Sequence, residues 1–328
     1  MISFTDIGQF REVIRGVKYD TDYRGKDESG SPIYVHDCPY PMLTFRGTVK
    51  LHGTNSGIVK YKEDRFEFQS RERILSLTSD NNGFMLAMKN KDYEKLFEGT
   101  DFKNYCAIFG EWCGGNIQSG VAINGLPKMF VIFAVRIDDV YQDMEKFKYL
   151  KIEEENIYNI LQFENYSIGI DFEKPEIAQN QLVEKTRVVE TQCPVGAYFG
   201  KTGIGEGIVW EYINGDKRYI FKVKGEKHQS SRIKKLVTVD TEEIKGIREF
   251  VEYALTESRL KQGIDKLIEL GKLVDAKSTG DYLRWIYNDI VKEEEDTIVK
   301  NGIDVKKIGK EISNKARIWF MNHLNSNT

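Results

Sequence analysis

Cysteine is scarce in this 328-residue chain: Cys38, Cys106, Cys113 and Cys193 are the whole complement. They form no C-x-x-C pair, and no histidine stands at zinc-ligand spacing from them, which excludes a zinc-ribbon or disulfide-stapled scaffold. Cys106 and Cys113 lie in or beside an apolar segment, where a reduced thiol behaves as a small hydrophobe. Long apolar runs are missing too, none approaching the roughly 20 residues that span a bilayer. The first residues, Met1-Ile2-Ser3-Phe4-Thr5-Asp6, lack the basic-then-apolar layout of a secretion signal. Positive charge is not in excess either, since the formal net charge is −3. Internal repeats and low-complexity tracts are absent. A cytoplasmic protein that makes no use of a membrane, and a monomer, is the expectation.

What remains is the composition of an ordinary globular protein, 40% hydrophobic and 30% charged. The length suits one large domain and a smaller one. Up to about residue 235 the chain reads as strand-rich with interspersed helices. Phe66 and Phe68 alternate with polar residues after the Lys62-Glu63-Asp64 turn, which predicts a hairpin with 57–61. Tyr105–Trp112 and Met129–Ile137 have the length of buried strands. Segments 207–213 and 218–224 flank Asn214-Gly215, a second hairpin signal. Helices are expected over 84–96 and 145–162. Beyond about Val239 the texture becomes helical: Asp240 and Glu243 resemble a capping box. Ile247, Phe250, Val251 and Ala254, and later Val305, Ile308, Ile312, Ala316, Trp319 and His323, fall at helical spacing. The expected division is residues 1–235 and 236–328.

The most informative stretch is Lys50-Leu51-His52-Gly53-Thr54-Asn55, which ends an apolar run begun near Leu43. Lysine is rarely buried without a partner, and a glycine lets a ligand approach the backbone closely. A lysine attacks phosphorus only as the neutral amine, so it needs desolvation or nearby cations. Phe221-Lys222-Val223-Lys224 places two further lysines on one face of a strand, where they could neutralise a triphosphate. Lys222, Lys224, Lys227, Arg232, Lys234 and Lys235 crowd together with His228; such a run is either a local phosphate-binding surface or a solvated linker. Gly196, Gly200, Lys201 and Thr202 imitate a phosphate-binding loop but have three residues between the glycines where that motif needs four.

In these residues the chain resembles the covalent nucleotidyltransferase superfamily of ATP-dependent ligases and capping enzymes, and within it the phage-type RNA ligase 2 family. The resemblance runs from about Phe45 to the end and rests on ordered motifs. It implies an α+β fold: a nucleotidyltransferase (adenylyltransferase) domain built on antiparallel sheets, followed by a small all-helical C-terminal domain. It makes Lys50 the site of AMP attachment, with Leu51, His52 and Asn55 beside the nucleotide. Arg71 in Ser70-Arg71-Glu72 falls where the family engages a 5′-phosphate end. Glu111 matches the glutamate that binds the adenosine ribose, and Phe133 the aromatic that stacks on adenine. Glu206 matches the glutamate of metal and phosphate chemistry, and Lys222 and Lys224 the final lysine pair. ATP and Mg²⁺ (or Mn²⁺) are the implied cofactors. RNA with 3′-OH and 5′-phosphate ends, in a nicked duplex, is the implied partner. Lys227, Arg259 and Asp289 join Arg71 as candidates for RNA contact.

Plainer roles stand beside these. Phe133 lies in an apolar run that would bury it anyway, His52 could be a packed turn residue, and Arg71, with Arg73 close by, could serve a structural salt bridge. Arg259 and Asp289 could equally be structural, as salt-bridge partners. Two positions depart from the family: Ala134 stands where many ligases carry aspartate, and Glu211 where some relatives place lysine. The segment Tyr19–Pro41, rich in charge and turns, could fold over the nucleotide or bind RNA. The helical tail favours an RNA ligase over a DNA ligase or capping-type nucleotidyltransferase, whose tails are β-rich barrels. A non-catalytic RNA-end-binding protein is the remaining alternative.

Overall fold

The computed structural model describes residues 1–228 and 246–326. The expected domain boundary, the 240–243 capping box, and Arg232, Lys234 and Lys235 of the basic run all lie outside the described residues. The protein divides into two compact units, one comprising Met1–Leu77 and Asn82–Gly225, the other holding the helices from Ile247 on.

The first unit begins with helix α1 (Phe10–Asp22), a hairpin of β1 (Tyr23–Lys26) and β2 (Pro32–Tyr34), then β3 (Met42–Lys50), β4 (Thr54–Tyr61) and β5 (Phe66–Ser70). Helix α2 (Phe84–Lys89) precedes β6 (Tyr105–Cys113), β7 (Met129–Ile137), β8 (Val140–Tyr141), β9 (Ile157–Asn159) and β10 (Asn165–Asp171). Helices α3 (Ala178–Thr191) and α4 (Pro194–Tyr198) lead into β11 (Gly207–Asn214) and β12 (Lys217–Lys224). A four-stranded sheet has the order β10-β3-β11-β12, and a six-stranded sheet has the order β5-β4-β6-β7-β8 with β9 parallel to β7. Every other pairing in these sheets is antiparallel.

Alternation decides which way each strand faces. In β3, Phe45, Gly47 and Val49 are buried while Arg46, Thr48 and Lys50 are half-buried. The buried row meets Trp210 and Phe221, and α1 packs on β12 with Phe10 4.8 Å from the Phe221 ring. Helix α1 buries Phe10, Val13 and Val17 at three- and four-residue spacing, each worth about 1.5–3 kcal/mol on removal from water. The six-stranded sheet is covered on both faces. Ile58, Ile108 and Val135 belong to the main core, whereas Val59, Ala107, Phe109 and Ala134 form a separate cluster with Phe4.

Both expected hairpins form, 54–61 with 66–70 and 207–214 with 217–224. The helix expected over 145–162 does not. That stretch is three 3₁₀ turns and the short β9, with Asn156 left-handed at φ 58° and Asn159 capping the last turn. Its apolar residues Phe147, Leu150, Ile152, Ile157, Ile160 and Leu161 are all buried; they fill space beside β7 in an order no single helix face could present. The 84–96 helix is likewise broken after Lys89 and resumes as a 3₁₀ turn at Tyr93. Cys106, Cys113 and Cys193 are buried free thiols and Cys38 is exposed. Burial pushes the Cys106 thiol up to about 12, which keeps it protonated and inert.

The second unit holds α5 (Ile247–Ala254), α6 (Glu257–Glu269), α7 (Thr279–Glu293), α8 (Glu295–Lys300) and α9 (Val305–Ser326). Its core joins Phe250, Leu260, Tyr282, Ile286, Ile308, Ile312, Ala316 and Phe320. No helix among the described residues is long and apolar enough to cross a membrane. Arg259 is 0% exposed. Its Nε donates to Asp289 at 2.7 Å, its Nη2 lies 3.4 Å from the equally buried Glu294, and its Nη1 donates to the Ala254 carbonyl. The expectation that Arg259 contacts RNA is therefore corrected, because its guanidinium is sealed inside the helical unit. Asp289 is its partner, so the structural salt-bridge reading holds for the pair.

Truncating one member of a buried ion network strands the others. Arg259→Ala should cost the helical unit about 3–5 kcal/mol in denaturant unfolding, and a loss under about 1 kcal/mol would refute the network as its organising contact.

Candidate active site

Three strands of the four-stranded sheet bring the charged residues together. Antiparallel register aligns Lys50 of β3 with Gly207 of β11, and Gly207 with Lys224 of β12. Two residues back along β3 and β12, the row on that face is Thr48, Val209 and Lys222. Lys222 and Lys224 thus share a face, with buried Val223 between them facing the other way. Gly207 separates Lys50 from Lys224, and no side chain fits there: φ is +152°, and an added Cβ would lie 2.2 Å from the Val223 carbonyl.

Glu206 is the hub of the row. It is 3% exposed, and its two oxygens serve three basic side chains. Lys50 Nζ donates to Oε2 at 2.8 Å, Lys224 Nζ lies 3.2 Å from Oε1, and His52 Nδ1 lies 3.3 Å from Oε2. Burial alone would push this carboxyl up, but Lys50, Lys224 and His52 together outweigh it and hold Glu206 well below the ordinary carboxylate range. Lys224 is shifted down from the usual lysine value, first by burial, with Glu206 opposing and Lys50 and Lys222 adding to the shift. Two ammonium groups share one carboxylate, so the trio carries a surplus positive charge in a low-dielectric setting, the electrostatics of an anion site.

The turn after Lys50 joins the two sheets, since β3 belongs to one and β4 to the other. Glu111 of β6, aligned with Asn55 of β4, accepts a 2.9 Å hydrogen bond from the Gly53 N–H. A Cβ at Gly53 would lie 2.5 Å from the Trp112 carbonyl, so only glycine lets this turn lie so close against β6. His52 and Asn55 are half-buried beside it, whereas the Leu51 side chain is buried in the main core. Leu51 therefore has only its backbone to offer a ligand.

Phe133 owes its position to an irregularity. Phe109 pairs with Ala134 and Gly110 with Ile132, which leaves Phe133 as an extra residue in a β-bulge. Bulges re-aim side chains, and Phe133 is half-buried where its β7 neighbours are buried. Arg71, past the end of β5, pairs with Asp6 at 2.7 Å. Lys227 is exposed on a 3₁₀ turn after β12. The loop resembling a phosphate cradle follows α4 and precedes β11, the reverse of the strand-then-helix order such a loop requires.

Both departures from the family pattern have partners. Glu211 accepts from Arg218 Nε at 2.6 Å, and the Arg218 guanidinium lies 3.8 Å over the Tyr141 ring. Ala134 is buried in the cluster around Phe4 and Phe109, where a carboxylate would be costly. Sequence reasoning missed Arg46, which is ion-paired with Asp143 and Glu145; its even spacing from Lys50 on a strand is the signal that would have found it. It also missed Phe4.

Among the described residues no three His, Cys, Asp or Glu side chains gather as a metal cage. Within the row, Glu206 is the group that can supply a carboxylate oxygen to a divalent cation. That donor set fits Mg²⁺ or Mn²⁺ of the kind held mainly by substrate phosphates and water, not by a cage of protein ligands.

The RNA ligase family model matches residues 43–224, more than half of the chain. No curated protein matches. Solved structures of Naegleria gruberi RNA ligase are similar over 69% of this chain: the form with PPi at 17% identity and TM-score 0.45, and a mutant with ATP and Mn at 15% and 0.47. A mutant with AMP and Mn stands at 15% and 0.45. The match spans 56% of the length of those proteins.

A depressed carboxylate stabilises the fold above its unfolded pKa and stops doing so as pH falls through its folded value. Glu206, with an unfolded value near 4.5, should therefore contribute fully at neutral pH and lose its contribution progressively below about pH 4.5. Acid titration of stability should steepen in that window, and Glu206→Gln should lessen the steepening; an unchanged acid limb in the variant would refute the assignment.

Proposed function

The chain belongs to the RNA ligase family, and from that premise we propose that it joins RNA 3′-OH and 5′-phosphate ends with ATP, through AMP held covalently on Lys50. The observation that carries this reading is the row Lys50, Glu206, Lys224: a partly buried amine with a carboxylate and a second ammonium around it. Its context, a turn bound to Glu111 on one side and lysines on the other, suits a nucleotide with its ribose and phosphates spread between them.

Three displacements follow. Lys50 Nζ, having shed its proton, attacks the α-phosphorus of ATP; an N–P bond forms and pyrophosphate leaves. Glu206, 2.8 Å away, orients the Lys50 side chain for that attack. An oxygen of the RNA 5′-phosphate then attacks the same phosphorus; the nitrogen takes up a proton from solvent as the N–P bond breaks, which returns the Lys50 amine and leaves a 5′–5′ pyrophosphate linkage. Last, a 3′-hydroxyl attacks the RNA phosphorus of that linkage, losing its proton and releasing AMP. A divalent cation on Glu206 would supply charge neutralisation for phosphate oxygens. Lys222 and Lys224 meet the negative charge that builds on the leaving pyrophosphate, and Phe133 and Glu111 hold the purine and ribose. Such transfers depend mainly on positioning and charge.

Every element described after Gly246 is a helix, which favours RNA over DNA joining. Sealing of nicked duplexes in RNA repair, with contacts from Arg71 and Lys227, extends the same reading. Incubation with α-labelled ATP and Mg²⁺ should label the protein, and Lys50→Ala should abolish the label. Lys224→Ala should slow labelling by about 10²–10³-fold, the usual effect of deleting a charge-stabilising group. Equal labelling of wild type and Lys50→Ala rejects the nucleophile, and transfer from GTP in place of ATP identifies a capping-type enzyme. No label at all leaves an RNA-end binder. Nicked, bridged and single-stranded RNAs compared side by side, with DNA strands as controls, should show fastest sealing at the RNA nick.

A further inference from the structure

Residues Met1–Gln9 precede the family match, yet they lace the two sheets of the first unit together. Ile2 N–H donates to Gln69 Oε1 at 3.0 Å, and its carbonyl accepts from Gln69 Nε2 at 2.6 Å. Thr5 N–H and Oγ1 each lie 2.9 Å from the Tyr141 hydroxyl. Asp6 pairs with Arg71, and the Gly8 carbonyl accepts the Lys222 N–H at 3.1 Å. The segment is thereby anchored to β5 and β8 of one sheet and to β12 of the other.

At its middle sits Phe4, 6% exposed. Its ring centre is 5.3 Å from Phe109 and 5.7 Å from Tyr141, and it meets Phe133 edge-to-face at 5.1 Å and 64°. Phe133 is the extra residue of the β7 bulge, so the ladder that orients its neighbours does not fix it. Its orientation depends on what packs beside it. Ala134, buried in the same cluster, is small enough to leave room for a phenyl ring there.

We propose that Phe4 is a positioning residue for the nucleotide site, holding the Phe133 ring in the attitude that stacks on the purine. The proposal rests on the reading that Phe133 receives the purine of ATP. It gives the amino-terminal segment a part in nucleotide recognition, although that segment contributes no group to the chemistry. Phe4 acts through Phe133: its ring packs in the aromatic cluster, apart from the ion-paired row of Lys50, Glu206 and Lys224.

The test uses the full chain and initial rates of self-adenylation over a range of ATP concentrations. Phe4→Ala should raise the KM for ATP about fivefold, the scale of deleting one aromatic pairing, while the rate at saturation stays within about twofold of wild type. Phe4→Leu, which refills the volume, should recover most of the affinity, and Phe4→Val, which leaves the ring's place partly empty and should also raise KM, replaces the alanine variant if that one does not fold by circular dichroism. In a Phe133→Ala background, Phe4→Ala should add nothing, because residues that act as a unit are not additive. An unchanged KM in a folded Phe4→Ala, full additivity with Phe133→Ala, or a saturating rate that falls while KM holds overturns the proposal. Failure of the underlying reading looks different, as wild-type protein that takes no label from ATP.

Discussion

A buried carboxylate cannot stay ionised without compensation, and everything at the centre of this protein follows from how Glu206 obtains it. Its basic partners come from both flanking strands and from the turn after β3. Lys50 and His52 stand far from Lys224 in sequence, so the site exists only when β3, β11 and β12 pair in one register. A slip of a single residue would turn Lys50 toward the core and Val49 outward. Gly207 enforces the same register from within, since its backbone conformation and its neighbours admit no side chain. The arrangement that stabilises the folded sheet is also the one that gathers positive charge, so folding and site assembly are one event.

The site is half in each sheet. Lys50 and Glu206 belong to the four-stranded sheet and its approach, Glu111 and Phe133 to the six-stranded one. The turn at 51–53 bridges them covalently at this end. Its hydrogen bond from Gly53 to Glu111 therefore sets the spacing between the two sheets at this turn. Leu51, buried in the main core, pins the same turn from below.

Local sequence rules read much of this correctly because the decisive features are local. Alternation places Lys222 and Lys224 on one face, and Asn214-Gly215 marks its hairpin, with Gly215 left-handed as such turns need. The 145–162 stretch reads as helix because its charge density suggests one, while its apolar residues answer to β7 and not to one another. Arg259 shows the limit of resemblance: a motif position suggests an RNA contact, and burial beside Asp289 and Glu294 decides otherwise. Nothing in the sequence around Arg259 signals that these acids, on the next helix and just past its end, are its partners. The bulge at Phe133 is equally hidden, since an inserted residue leaves no mark in an unbroken apolar run.

Phe4 makes the same point about the segment that sequence describes least. In the sequence the first residues show only that they lack the layout of a secretion signal. Yet in the structure Phe4 completes an aromatic cluster that Ala134 alone leaves open. Glu211, the other departure from the family, pairs with Arg218, whose guanidinium lies over Tyr141 and 5.4 Å from Phe4. Ala134 lies inside the aromatic cluster and Glu211 pairs with the arginine seated against its edge, so the two positions border the same group of rings. The surroundings of Phe133 are therefore apolar, and the charged row stands at the Lys50 end.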